Sequence, residues 1–505
     1  MQGRLTRENL LESGMGCFLF AAAVTLVNAL LLPFARACHG YPAAPTFVSF
    51  ALALCAFLLF GRLLHRADGA RLERIARALL PAFLIALFAL HLLLGYWMAY
   101  TPSGDNHMLI DGAKMLAADG SFAAEPDYSL YLSRYSNQWG FMLMLTALFK
   151  LFAALGVADF LFALVVLQAA LYTLGMLAAA DIARGLAGVR GVLALLLVLS
   201  CCMPLYLAAA VLYTDTFSLP FILLTLCFAL RVLDARTARA RIGFALAAAL
   251  LATLGAQVKM TAFIALMAAA IVWVLRLRAR EGICCLALTA LVAAGGMALA
   301  QGYMTDKVLD PAMVAQHHTP AIHWVMMSIP TGDNPYGAST GDYGETWGMM
   351  EQGATRQEVM DSIYRRMKDR IYTLRYPNRL ITAALRKNAN AMGDGSFGMT
   401  EMLDDGPVRE NAVSAVVLEG RPYYLPYRAV CSGIHLATLA LAAAGCLRDI
   451  RRRDTRAAML YVAMFGMMLF LMLWEARPRY LFGFVPVLLL LCARFIARDE
   501  KGARA

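Results

Sequence analysis

A chain of 505 residues that is 61% hydrophobic and only 16% charged, with a mean hydropathy of +0.62, is not a soluble domain. Soluble domains average about 45–50% apolar and about 25% charged residues. The net charge of +11 is not the footprint of a nucleic-acid binder either, because the Arg residues stand in short clusters between apolar runs, as the positive-inside rule describes. Apolar runs long enough to cross a bilayer recur along most of the chain and β-barrel alternation does not appear, so the fold class is an all-α polytopic membrane protein.

In chain order, Met1 to Leu10 is polar, and the first apolar run is too long for a signal peptide and reads as a retained span. The candidate spans lie at roughly 11–34, 45–63, 78–100, 137–154, 158–183, 190–213, 215–233, 241–256, 259–276, 283–304, 426–447, 457–474 and 478–496, about 12–13 transmembrane helices. They divide the chain into a membrane module 1–304 with an outer loop 101–137, a loop region 305–425 outside the cytoplasm, and C-terminal helices 426–505. Arg62 to Arg77, Arg231 to Arg241, Arg276 to Arg280 and Arg448 to Arg456 should share the cytoplasmic face. Two full crossings between 137 and 183 would break that parity. The run 137–154 is therefore expected to be a half-span or re-entrant helix, tolerable only where protein or water lines it. The eleven Cys lie mostly inside apolar runs, as Cys201-Cys202 and Cys284-Cys285 do, and read as small buried apolar residues.

The polar stretch Tyr100 to Gln138 interrupts this pattern. It holds Asp105 in a Gly-Asp turn, then helical spacing at Met108, Leu109, Gly112, Ala113 and Leu116. Asp105 reads either as a helix N-cap or as a carboxylate held at the water edge for general-base or metal chemistry. Asp215, in Tyr213-Thr-Asp-Thr-Phe, either caps the next span or orients an Arg or an acceptor. Arg134, Lys259, Lys387, Arg477 and Arg479 are cations at the same edge, readable as snorkelling side chains or as phosphate contacts. Further on, Thr355-Arg-Gln-Glu358 forms a capping box, followed by a helix with Val359, Met360, Ile363, Met367 and Ile371 at helical spacing, and a second helix starts near Asn378. Ile329 to Trp347, rich in Gly, Pro, Asp and aromatics, reads as a loop that folds over something. Trp324, Tyr336, Tyr343 and Trp347 suit either sugar stacking or an interfacial belt. His317, His318 and His323 with Asp105 or Glu345 could supply a divalent metal, but no spacing such as His-Glu-x-x-His is present, and no metal ligand is assigned.

A carboxylate in the first large outer loop, followed by an amphipathic helix, resembles the GT-C superfamily of membrane glycosyltransferases. Tyr131 to Gln138 resembles the Tyr-x-x-x-Tyr-Pro-Asn-Asn stretch of the bacterial protein-mannosyltransferase-like clan, with Ser136 in place of the Pro and Gln138 in place of the second Asn. Ile322 to Ser328, Lys387 to Phe397 and Trp474-Glu-Ala-Arg-Pro-Arg-Tyr480 resemble the same group. The resemblance implies a GT-C-like bundle in the cell membrane and an enzyme that passes a hexose from a polyprenyl-phosphate carrier to a glycan, lipid or protein acceptor. Asp105 would be the general base. Arg134, Asn137, Gln138, Asp215, Lys259, His323, Lys387, Arg477 and Arg479 would be the substrate-binding set. No cofactor beyond a possible divalent metal is implied. A transporter or flippase of lipid-linked glycans would instead show inverted repeats and mid-span charges. A polymerase or ligase of such glycans would rely on loop Arg and His.

Overall fold

The computed structural model describes residues 6–31, 43–332, 334–338, 341–403 and 410–498. The last three residues of the first expected span, 32–34, and parts of the expected loop 329–347 lie outside that set. Among the described residues the chain is helical without a β-strand, and nine helices are long and apolar enough to cross a membrane.

Three long helices come first: α1 (Arg7–Leu31), α2 (Ala43–Arg66) and α3 (Gly69–Trp97). They are followed by α4 (Gly104–Asp119), α5 (Pro126–Arg134) and α6 (Trp139–Ala154). Next is α7 (Phe160–Cys201), then a short α8 (Pro204–Leu207), α9 (Thr214–Asp234), α10 (Ala238–Val258), α11 (Phe263–Arg276) and α12 (Ala279–Tyr303). Short helices fill the following stretch: α13 (Pro311–His317), α14 (Ala321–Met327), α15 (Asp342–Glu351), α16 (Arg356–Thr373), α17 (Pro377–Met392) and α18 (Ala412–Val417). The chain closes with α19 (Tyr424–Arg451), α20 (Ala458–Leu473) and α21 (Val485–Ala497).

Helix α7 is two helices. Ala187 and Gly188 leave helical geometry, with Gly188 at φ +63°, and a Cβ on Gly191 would come within 2.5 Å of the Ala183 carbonyl. Residues eight apart in a straight helix are about 12 Å apart, so the chain turns back here. The turn lies beside the junction of α2 and α3: Arg184 pairs with Glu73 at 3.2 Å, and Arg190 donates to the Leu64 carbonyl at 3.1 Å. This is the arginine-rich face of the bundle. The first arm of α7, Phe160–Leu186, is about 40 Å long, so Phe160 sits at the opposite face.

That settles the run 137–154. Helix α6 starts at Trp139, on the face opposite the arginines, and ends beside Phe160, where the Phe149 and Phe160 rings stack at 5.3 Å. It begins and ends on one face and does not cross, as the arginine pattern requires. The two arms of α7 are separate passes, and α11 and α20 are shorter apolar helices, so the described bundle makes twelve passes, the lower end of the expected range.

The return arm of α7 ends at Cys201, and α8 with residues 208–213 completes the crossing. Irregular backbone at membrane depth needs partners from protein. Here Gln168 donates to the Ala208 carbonyl at 2.8 Å, Tyr172 to the Thr216 carbonyl at 3.1 Å, and a ring nitrogen of His91 lies 2.9 Å from the Leu205 carbonyl. Residues 207–220 are buried throughout, which carries Tyr213 and Asp215 to the face opposite the arginines in fixed positions.

Candidate functional site

Between that face of the bundle and the short helices α13–α15 lies a cavity of about 730 Å³. It draws walls from the start of α4, the end of α5, the α10–α11 and α20–α21 junctions, and the segment around Glu401. Asp105, Arg134, Asn137, Gln138, Lys259, Arg477 and Arg479 all line it, although they are up to 374 positions apart in sequence.

Asp105 is not the cap of α4. Ser103 holds the N-cap position with extended backbone, and Asp105 is the second residue of the helix. Its two carboxylate oxygens each accept a phenol, Tyr131 on Oδ1 at 3.1 Å and Tyr213 on Oδ2 at 3.0 Å. Burial, and then the charge of Asp105, holds the Tyr131 phenol well above the ordinary tyrosine range, so it stays a protonated donor. Among the described residues no cation reaches ion-pair distance of Asp105. Gln138 Nε2 donates to the Tyr213 hydroxyl at 3.4 Å, while its Oε1 is buried without a hydrogen-bond partner. The approach of α6 to the end of α10 sets this geometry, because a Cβ on Gly140 would fall 2.1 Å from Gln257 Oε1 and 2.5 Å from its carbonyl.

Asp215 behaves differently. It lies in the first turn of α9, 3% exposed, just behind the cavity wall, with Tyr213 at the N-cap position. Lys259 bonds to its Oδ1, and Arg479 Nε lies 3.2 Å from its Oδ2. Arg479 also reaches Glu401 Oε2 at 2.9 Å, and the Lys259 ammonium sits 4.0 Å from the Tyr480 ring centroid. Burial pulls the Lys259 amino group below the ordinary lysine range, and Asp215 works against that shift. Burial likewise raises the Glu401 carboxyl, opposed by Arg479 and Arg477. Asp215 is therefore the counter-ion that orients Lys259 and Arg479. Arg477 is the least committed of these cations, with Glu475 at 3.8 Å as its one ion-pair partner among the described residues.

At the other rim, Arg134 pairs with Glu351 and stands 4.6 Å from the Trp347 ring centroid. Tyr135, Trp324, Tyr343 and Trp347 form a connected aromatic wall with centroid separations of 4.7–5.9 Å. Tyr343 and Trp324 line the cavity, so the segment before α16 does fold over the site.

Besides Asp215, two expected site residues lie outside the cavity lining. His323 is fully buried behind Trp324, with Nδ1 3.0 Å from the Thr346 hydroxyl, and burial pushes its imidazole down to about 4. It offers the cavity neither charge nor hydrogen bond. Lys387 is also buried and donates to the carbonyls of Ser328 and Trp474 at 2.9 and 2.8 Å. It is a clip between the segment after α14 and the turn that carries Arg477. Gly337, at φ +64°, completes the clip: its carbonyl accepts from Ala476 at 3.1 Å, and a Cβ there would meet the Ser328 carbonyl at 2.3 Å. His318 Nε2 lies 2.9 Å from Ser136 Oγ, and His323 faces Thr346. Among the described residues no three His, Cys, Asp or Glu side chains group as metal ligands.

The family model described as "Conserved hypothetical integral membrane protein" matches residues 107–499. No curated protein sequence matches the chain. A solved structure, that of ArnT from Cupriavidus metallidurans bound to undecaprenyl phosphate, is similar over 83% of this chain and 77% of that one, at 14% identity and a TM-score of 0.32.

Proposed function

The chain belongs to that family of integral membrane proteins, and from this premise we propose that it is a GT-C-type glycosyltransferase. It would transfer a sugar from a polyprenyl-phosphate carrier to an acceptor at the outer face of the membrane. The observation that carries the reading is the division of charge around one cavity. Asp105, held by two phenols, lines it together with Lys259, Arg477 and Arg479. The sequence resemblance at Asp105, at Tyr131 to Gln138 and at Trp474 to Tyr480 supports the same reading.

The chemistry follows from those positions. Asp105 faces the cavity with no cation at ion-pair distance among the described residues, and the phenols fix its direction toward the acceptor hydroxyl. Asp105 takes the acceptor hydroxyl proton as that oxygen bonds to the anomeric carbon. The bond from that carbon to the phosphate oxygen breaks, and the phosphate leaves with the electron pair. Arg477, Arg479 and Lys259 stabilise the charge that builds on it. Displacement from the opposite side inverts the anomeric centre. Glu401 lines the same cavity and holds Arg479 at 2.9 Å, within reach of the leaving phosphate.

Asp105→Asn is the test. Asn is near-isosteric, and the helix keeps its Ser103 cap. Transfer from polyprenyl-phosphate hexoses in proteoliposomes should fall roughly 10²–10⁴-fold. The melting temperature and the affinity for polyprenyl phosphate should hold. Undiminished transfer by the folded variant removes Asp105 as the base.

A further inference from the structure

We infer that α17 and the end of α16 form an amphipathic anchor that lies in the leaflet on the site face and binds anionic phospholipid headgroups.

Three observations converge on this. The first is a gradient of burial along α17. Lys387, Asn388 and Ala389 are buried, whereas Leu380 is 53% and Ile381 58% exposed. The second is what fixes the buried end. Asn28, in the last turns of the spanning helix α1, donates to the Leu385 carbonyl at 2.6 Å and to Asn388 Oδ1 at 3.1 Å, and Asn388 donates to Thr25. Those contacts place the C-terminal half of α17 at the depth where α1 leaves the bilayer. The stripe that seats on α1 at Leu385, Asn388 and Met392 continues one turn outward to Ile381, where the side chain is exposed. An apolar stripe at that depth is in the headgroup–acyl boundary.

The third observation is the chemistry around it. Ile371, Tyr372 and Tyr376 are exposed beside Leu380. Arg375 stacks on the rings of Tyr372 and Tyr376 at 3.8 and 4.3 Å, and Arg379 lies 5.4 Å from the Tyr376 ring. Among the described residues neither Arg has a carboxylate in ion-pair distance. Arg375 Nη1 donates to the Tyr372 carbonyl at 2.8 Å and Nη2 to the Tyr376 hydroxyl at 2.9 Å, which fixes the guanidinium against amphipathic rings that prefer the interface. A guanidinium carries five N–H groups, so those two bonds leave donors for phosphate oxygens. A water-facing helix would gain nothing from Leu380 and Ile381, and a protein partner would not need their alignment with the end of α1.

The test uses the full chain in nanodiscs of phosphatidylcholine and phosphatidylglycerol at three to one. A photoreactive benzoylphenylalanine replaces Ile381, and the adducts are read by mass spectrometry. Lipid adducts are expected, with the ratio of phosphatidylglycerol to phosphatidylcholine adducts raised up to about fivefold over the bulk ratio, the worth of one Arg at an anionic surface. Arg375→Gln with Arg379→Gln should keep the lipid adducts but return the ratio to the bulk value. Adducts to protein or to neither overturn the anchor. Lipid adducts whose ratio is at bulk value in the unaltered chain overturn the anionic preference.

Discussion

Two buried ionic networks stand at opposite ends of the described bundle, and they differ in what they face. On the arginine face, Arg494 and Asp449 are 1% and 0% exposed and 2.9 Å apart. Arg498 and Tyr461 complete the ring around Asp449, and Arg494 reaches Asp454 at 3.1 Å. Charge there is matched and none of these side chains lines the large cavity. On the opposite face Asp215, Lys259, Arg479 and Glu401 form a network of similar make-up, but it backs a cavity in which one carboxylate, Asp105, is left to phenols alone. Buried ion pairs are thus a poor mark of function in this molecule. The mark is an unmatched carboxylate facing space that a substrate can occupy.

That contrast can be broken or sharpened by substitution. The largest effect on stability is expected at the closed network. Arg494→Ala leaves Asp449 with fewer partners in a dry site and should cost about 3–5 kcal/mol, read as a lower melting temperature in detergent. Transfer per folded molecule should be unchanged, and an activity loss beyond the folded fraction would erase the distinction between the two ends. At the open network the expected loss is functional. Tyr213→Phe removes one hydrogen bond to a charged group, worth about 1.5–3 kcal/mol. It should lower kcat roughly 10–100-fold with KM unmoved, and a change confined to KM would place Tyr213 in acceptor binding instead. Arg477→Gln should weaken polyprenyl-phosphate binding about tenfold, the scale of one charge-assisted hydrogen bond. Unchanged affinity would leave Arg477 as a turn residue.

A pH-dependent effect belongs to Lys387, the clip between the two structures that frame the cavity. Burial depresses its amino group to about 7 from an ordinary lysine value of 10.5. Between those values the unfolded chain holds a proton that the folded chain has released, so the unfolded state binds more protons and stability rises with pH. Below about 7 both states are protonated, and the cost of burying the charge is present in full. Lys387→Met should flatten the rise of melting temperature between pH 7 and 10.5. An unaltered slope would mean that Lys387 keeps its charge across that range.

Much of the architecture was legible because lipid imposes a simple demand on sequence. Length and apolarity located the spans, and the Arg clusters alone exposed 137–154 as a run that cannot cross. Asp105 was legible because a carboxylate at a span's edge is costly. Its grip by Tyr131 and Tyr213 was not, since nothing local links positions 82 residues apart. Glu401 was missed for a similar reason: it stands in an ordinary Met-Thr-Glu-Met run and meets Arg479 only through the fold. Glu475, beside Arg477 in a stretch already singled out, was the findable omission. His323 and Lys387 were misjudged because residue type reveals charge but not direction, and both side chains turn away from the cavity into protein.

The turn-back of α7 bears on what holds the cavity face in place. Its return arm, Val189–Cys201, reaches only about 20 Å, against a hydrocarbon core of about 30 Å. Past Cys201 the chain is irregular, and its carbonyls depend on Gln168, Tyr172 and His91 for partners. Such a segment is too short and too irregular to span the core unaided, and it holds its depth through side chains of α3 and of the first arm of α7. Tyr213 therefore reaches the cavity face at the end of a segment whose register its neighbours set, and its bond to Asp105 depends on that packing.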